Sequence, residues 1–142
     1  MTISVYFDAS LMVSLFVEDA LTGRADAYVA THRPTAAISD FAAAEFASSV
    51  SRRVRMKSMS RTQGQAILVE FDAWRSREAT SCLVETADVT TADMLLRRLD
   101  LPLRTPDALN IAIAERHGFE LATFDEQMKV AARRVGLKLA PA

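Results

Sequence analysis

Two short apolar runs, each closed by an aspartate, constrain this chain more than any other feature. Residues 3–7 (ISVYF) end directly at Asp8, and residues 120–124 (ELATF) end directly at Asp125. Short runs rich in β-branched and aromatic residues read as buried strands. The sequence between them alternates strand and helix patterns. Residues 11–17 and 20–31 read as helices, the second stopped at Arg33 and Pro34. Residues 35–38 make a short second strand, after which Ser39 can N-cap an Ala-rich helix over 41–54. Ser60 and Gln63 have capping-box spacing and open a helix to about Arg77. A third strand is expected at 82–84, and Thr90 with Asp93 is read as another capping box, starting a helix through Leu99. Thr105, Pro106 and Asp107 form a compact helix start, with Thr as N-cap and Pro at the first helical position. That helix covers 108–117 and stops at Gly118. A helix over 125–135, a stop at Gly136 and an edge strand at 137–139 complete the chain. Alternation of this kind implies an α/β layer structure: a mainly parallel central sheet with helices on both faces.

Composition supports one domain over 1–142. A chain of 142 residues hides roughly 68–70% of the surface its unfolded form exposes. Half hydrophobic and a quarter charged, it is not globally disordered. Its 4 Gly and 4 Pro are too few for a turn-rich all-β fold. A lone Cys82 excludes a disulfide framework, and His32 and His117, far apart, leave no zinc-type constellation. A formal charge of -1 argues against a purely electrostatic nucleic-acid binder but leaves room for a local basic patch. The N-terminus lacks a basic n-region, and no apolar run approaches the ~20 residues that span a bilayer. The expectation is a cytoplasmic protein with no membrane partner.

The acids carry the chemistry. In open parallel sheets ligand sites lie beyond the carboxyl ends of the strands, so Asp8 and Asp125 are expected on one rim. Asp107 opens an almost wholly apolar helix (ALNIAIA), and Glu45 interrupts AAAEFA. A carboxylate in a buried stretch is costly unless paired or bound to a cation. Glu45 has no basic residue at i±3 or i±4, where Ala42, Phe41, Ser48 and Ser49 stand. Each acid also has a structural reading. Asp107 could complement the helix dipole, Asp125 could be an N-cap, and Asp8 could satisfy loop N–H groups. The four structural readings must hold independently, whereas one site explains all four.

Arg52, Arg53, Arg55, Lys57 and Arg61 crowd into SRRVRMKSMSR. The run can track phosphates or simply complement a helix end. Arg97, Arg98 and Arg104 could extend the rim near Asp107. Met56, Met59, Leu68, Phe71 and Trp74 line one helix face, as core or as interface. Cys82 is expected in a buried strand, His117 in a last helical turn and His32 in a loop.

YFDAS, SDFAAAEF, TPDALNIAIAERHG and LATFD occur in an order and spacing that resemble PIN-domain ribonucleases, more closely the VapC-type toxins of bacterial toxin–antitoxin modules. The resemblance runs from Asp8 to Asp125 and implies a PIN-like three-layer α/β/α fold. It implies a metal-dependent endoribonuclease with Asp8, Glu45, Asp107 and Asp125 as the acidic cluster. Asp8, Asp107 and Asp125 would be metal ligands, and Glu45 would act through a water. Ser10 and Thr123 match the family's hydroxyl positions beside the acids. The implied cofactor is Mg²⁺ or Mn²⁺, since an all-carboxylate cluster suits hard cations. The implied partners are an RNA substrate (tRNA or ribosomal RNA), a cognate antitoxin protein and a second copy of the chain in a homodimer. Residues 51–77 are the part least like the family, where substrate choice would vary.

Two other enzyme classes fit less well. A haloacid-dehalogenase-type phosphatase needs an Asp where Ser10 stands, and a response-regulator receiver needs an acidic pair near Asp8. No Gly-rich phosphate loop is present. The remaining alternative is a catalytically degenerate PIN-like module that only binds RNA or protein.

Overall fold

The structure, a computed structural model, describes residues 4–142. Chain order is β1 (Ser4–Phe7), α1 (Ala9–Phe16), α2 (Thr22–His32), β2 (Thr35–Ser39), α3 (Asp40–Arg55), α4 (Arg61–Glu78), β3 (Ala79–Cys82), α5 (Thr86–Leu96), α6 (Thr105–His117), β4 (Glu120–Ala122) and α7 (Glu126–Arg134). Ile3, expected to open the first strand, lies outside the described residues. Among the described residues no helix is long and apolar enough to cross a membrane.

The four strands form one parallel sheet in the order β3-β2-β1-β4. Consecutive buried residues Val5, Tyr6 and Phe7 in β1, and Ala36, Ala37 and Ile38 in β2, require cover on both faces. Helices provide it in two groups: α1 packs on α2, α3 and α4, while α5 packs on α6. An aromatic cluster of Phe16, Phe46, Phe71 and Trp74 cements the first group. The fold is therefore α/β in the expected three-layer manner.

The strand order fixes where a site can be. After β1 the chain builds outward through β2 and β3, then returns to lay β4 on the other side of β1. This reversal makes the carboxyl end of β1 the topological switch point, where open parallel sheets bind ligands. Asp8 sits there, and its N–H bonds to the Ala122 carbonyl at the end of β4.

Several boundaries differ from expectation. The third strand is Ala79–Cys82, not 82–84. It is an edge strand held by backbone pairing to β2, and its Thr80 and Ser81 are exposed. The helix expected to start at Thr90 starts at Thr86, where the Glu85 N–H bonds to Asp88 at 2.8 Å. Thr90 is interior to that helix, its hydroxyl turned back to the Thr86 carbonyl. Arg104, not Thr105, is the N-cap of α6, placing Pro106 in the first turn. The stop at Gly118 stands, with φ 70, a left-handed conformation that glycine adopts without a Cβ penalty. The last edge strand reduces to a single parallel bridge between Leu121 and Leu139. His32 lies in the last turn of α2 against Tyr28 rather than in a loop. The apolar face of α4 is mostly core, while Met56 stands exposed. Cys82 is buried, as expected.

Candidate active site

Asp8 ends β1 and N-caps α1, its Oδ1 accepting the Leu11 N–H at 3.2 Å. The structural reading of this residue and the functional one thus use the same carboxylate. Ser10 Oγ donates to Oδ1 at 2.7 Å, and Thr123 Oγ1 donates to Oδ2 at 2.5 Å. Each hydroxyl spends its proton on Asp8 and turns a lone pair to a backbone N–H. Ser10 accepts from Phe124 at 2.9 Å, and Thr123 accepts from Asp125 at 3.0 Å. Asp125 in turn N-caps α7 through the Met128 N–H at 3.0 Å. The ends of β1 and β4 are thereby bolted together through two hydroxyls.

Asp8 is 4% exposed. Burial pushes its carboxyl up to about 6, against the pull of the Thr123, Ser10 and Leu11 bonds and with a further push from the Asp125 charge. Glu45, in the second turn of α3, is raised by burial, with Asn110 pulling it down and the charges of Asp8 and Asp107 pushing it up. Asp107 sits in the first turn of α6. Burial raises it, the Arg104 N–H bond lowers it, and the Asp125 charge raises it again. The four acids thus lie within one another's fields. Among the described residues, Arg104 is the cation paired with one of these acids, an exposed side chain 3.8 Å from Asp107.

Glu45 is half-buried without a salt bridge, and an amide stands in for one. Asn110 Nδ2 donates to Glu45 Oε1 at 2.7 Å and to the Pro106 carbonyl at 3.0 Å. The Asn110 Oδ1 accepts from the Tyr6 hydroxyl at 2.5 Å, and Tyr6 Oη lies 2.6 Å from Ser39 Oγ. Tyr6, Ser39 and Asn110 are all buried. The sequence pattern passed over Asn110 and Tyr6. The signal for Asn110 is present in ALNIAIA, since one amide inside an apolar helix must find partners.

The residues of the basic run face different surroundings. Arg53 is bonded to Ser49 Oγ at 2.5 Å and lines a cleft with Ser10 and Asp125. Arg52 and Arg55 are exposed, bonded within α3 to Met56 and Ser51. Lys57 lies beyond the helix with φ 59. Arg97 and Arg98 are engaged with Asp93 and Asp100, so Arg104 alone of the three extends the rim.

Carboxylates and hydroxyls make a hard-oxygen donor set, suited to magnesium-like ions and not to zinc. Among the described residues, no three His, Cys, Asp or Glu side chains form a ready-made cage for a metal ion.

Comparison with known proteins agrees with this architecture. No curated protein matches the chain. Among solved structures, VapC20 of Mycobacterium tuberculosis, a sarcin–ricin loop cleaving toxin, superposes with TM-score 0.73 at 21% identity, covering 89% of this chain and 94% of that one. VapBC2 from Rickettsia felis, bound to a DNA fragment from its promoter, gives TM-score 0.68 at 18% identity over 96% of this chain and 97% of that one. A toxin–antitoxin complex from Klebsiella pneumoniae gives TM-score 0.67 at 18% identity over 97% and 98%. At these identities the likeness is one of fold. The PIN domain itself matches residues 5–134, nearly the whole span over which these superpositions run, and on that match the chain belongs to the PIN domain family.

Proposed function

We propose that the chain is a metal-dependent endoribonuclease and the toxin of a VapBC-type toxin–antitoxin module, acting in the cytoplasm. The observation that carries this reading is Asp8: a buried carboxylate, braced by Ser10 and Thr123 at the switch point of the sheet, in the fields of other acids. A fold does not require such an arrangement, because crowded buried carboxylates raise one another's pKa and weaken the folded state. A site prepared for a cation does require it. The donors fit Mg²⁺ or Mn²⁺ that keep several waters and take only a few carboxylates, and they do not fit a fully protein-caged ion.

Asp8, Asp107 and Asp125 would hold the ion. A bound divalent cation would supply charge neutralisation at the phosphate and a water of lowered pKa. Glu45, held through one oxygen by Asn110, would orient the attacking water with the other. Ser10 and Thr123 hold the Asp8 carboxylate in one orientation. Arg52, Arg53, Arg55 and Lys57 lie along the path of the RNA backbone. Phosphodiester hydrolysis of this type leaves a 3′-hydroxyl and a 5′-phosphate. The related VapC20 cleaves the sarcin–ricin loop, and related toxins occur in complexes with antitoxins. A structured RNA target, a cognate antitoxin and homodimerisation are the corresponding proposals here.

The test is cleavage of total RNA by the purified chain with Mg²⁺ or Mn²⁺, with mapping of the new ends. Asp8→Asn and a chelator should each abolish cutting. Binding without cutting by the wild type under all metal conditions would favour the degenerate binding module instead.

A further inference from the structure

A cleft of about 390 Å³ opens beside the carboxylates, lined in part by Ser10, Asp125, Ser49, Arg53 and Phe124. Of the four acids Asp125 lines it, and Asp8 stands one hydrogen bond behind its Ser10 wall. Glu45, Ser49 and Arg53 follow at i, i+4 and i+8 on α3, so they share one face. Arg53 stands roughly 12 Å along the helix axis from Glu45.

The Arg53 guanidinium is oriented but not consumed. Its hydrogen bonds to protein all leave from Nη1 and end at Ser49, at 2.5 Å to Oγ and 3.3 Å to the carbonyl. Among the described residues no carboxylate pairs with it. Its Nε and Nη2 hydrogens remain for an anion, and a guanidinium fork suits a phosphate. The other acid of the cleft, Asp19, is held by the Leu21 N–H at 2.8 Å and by Ser14 Oγ of α1 at 3.2 Å. Phe124 lines the cleft with a half-buried ring that packs on the core and pairs with Arg24. Its N–H is pinned to Ser10, and the Arg24 guanidinium lies 5.0 Å from its ring centroid. A cationic fork and an arginine–aromatic pair beside a carboxylate centre offer an unpaired nucleotide one partner for its phosphate and one for its base.

We propose that this cleft is a subsite for one unpaired nucleotide flanking the scissile phosphate, with Arg53 holding the neighbouring phosphate and Phe124 supporting the base. The proposal rests on the ribonuclease reading and narrows it: the RNA must be single-stranded or looped out where it crosses the cleft. Arg53 is thereby separated from Arg52, Arg55 and Lys57, which do not line it.

The experiment measures binding of a short 5′-labelled single-stranded oligoribonucleotide by fluorescence anisotropy, in the non-cleaving Asp8→Asn protein, across a salt series. Cleavage of the same RNA by wild type is followed in parallel. Arg53→Met keeps the aliphatic stem and should bind roughly tenfold more weakly, with a log–log salt slope reduced by about 0.7, the value for one phosphate on a single strand. Phe124→Ala should lose about 5- to 150-fold, the range for one stacked base. Against an oligomer of abasic ribose-phosphate units the Phe124 effect should vanish and the Arg53 effect persist. Arg77→Met, at the far end of α4, serves as the control for charge removal, and melting curves confirm that each variant is folded. Unchanged affinity and slope in Arg53→Met, while wild type still cuts RNA, would remove the subsite and leave the ribonuclease reading standing. Failure of the wild type to bind or cut RNA at all would remove both.

Discussion

Asn110 and Glu45, 65 positions apart in sequence, meet at 2.7 Å, and this contact orders a directed chain of hydrogen bonds. Ser39 Oγ accepts from the Ala42 N–H, so its own proton is free to go to Tyr6 Oη. Tyr6 then donates to Asn110 Oδ1, and the amide can offer Glu45 only its N–H face. Burial raises the Tyr6 hydroxyl far above its ordinary value, so it stays a donor at any working pH.

Asn110→Leu should therefore uncouple Glu45 from its seat. Glu45 and Tyr6 each lose a partner, at a stability cost of about 1–3 kcal/mol for each buried group left unsatisfied. Turnover should fall roughly 10- to 100-fold, as for a catalytic group displaced by about 1 Å. KM for RNA should hold, because Asn110 lies beneath the rim. Tyr6→Phe should give a weaker version of the same change. A rise in KM with kcat unchanged would show that Asn110 acts on binding instead of on Glu45.

The pH dependence of stability should identify Asp8. Its carboxyl titrates near its ordinary 3.8 when unfolded and at about 6 when folded, so folding takes up a proton between those values. The Asp8 contribution is most favourable below 3.8, declines as pH rises through about 6, and is constant above that. The loss on ionisation is about 3 kcal/mol. In chelator, Asp8→Asn should gain on wild type as pH rises from 4 to 8, and the gap should close in acid. The gain will be smaller than the full amount, because the amide NH2 faces a hydroxyl donor where a carboxylate oxygen accepted one. Urea unfolding at a series of pH values reads this directly, and a pH-independent difference would show that Asp8 is not the titrating group.

Metal should act in the opposite sense. A cation binding only the folded acids stabilises by about 2.7 kcal/mol at a hundred times its Kd, which is several degrees in Tm for a domain of this size. Millimolar Mg²⁺ or Mn²⁺ should raise the wild-type Tm, and Asp8→Asn should lose most of the increment. Equal shifts in both proteins would place the ion elsewhere.

What was legible in the sequence, and what was not, divides along physical lines. Asp8 and Asp125 could be read because each follows an apolar run whose burial is set by composition. The Ser39 and Ser60 caps could be read because each depends on residues within one turn, and both caps are present. The third strand was misplaced because its edge position relies on backbone pairing to Ala36–Ser39 and leaves no apolar pattern. The start of α5 was misplaced because capping spacing recurs at Thr90 and Asp93, while the true start is chosen by Arg116, distant in sequence. The splitting of the basic run was equally invisible: Arg52 and Arg53 are adjacent, yet of the two only Arg53 lines the cleft with Ser49 and Asp125.

Arg116 also sets the last prediction. Its Nε and Nη2 donate to Asp88 at 2.7 and 3.0 Å, its Nη2 reaches the Leu83 carbonyl at 2.9 Å, and Nη1 lies 3.2 Å from Glu85. Asp88 is 1% exposed. Burial alone would raise its carboxyl, but the Arg116 bonds and the Glu85 N–H bring it below its ordinary value. This pair pins the start of α5 to α6, the helix that carries Asp107 and Asn110. Asp88→Ala removes the anchor and leaves the guanidinium only Glu85 and the Leu83 carbonyl, so it should destabilise the fold and loosen the start of α5 from α6. Replacing both partners together, as Asp88→Leu with Arg116→Met, should cost less than Asp88→Ala, because no unpaired charge remains. A double variant less stable than the single would show that the pair contributes net energy and does not merely satisfy its own desolvation.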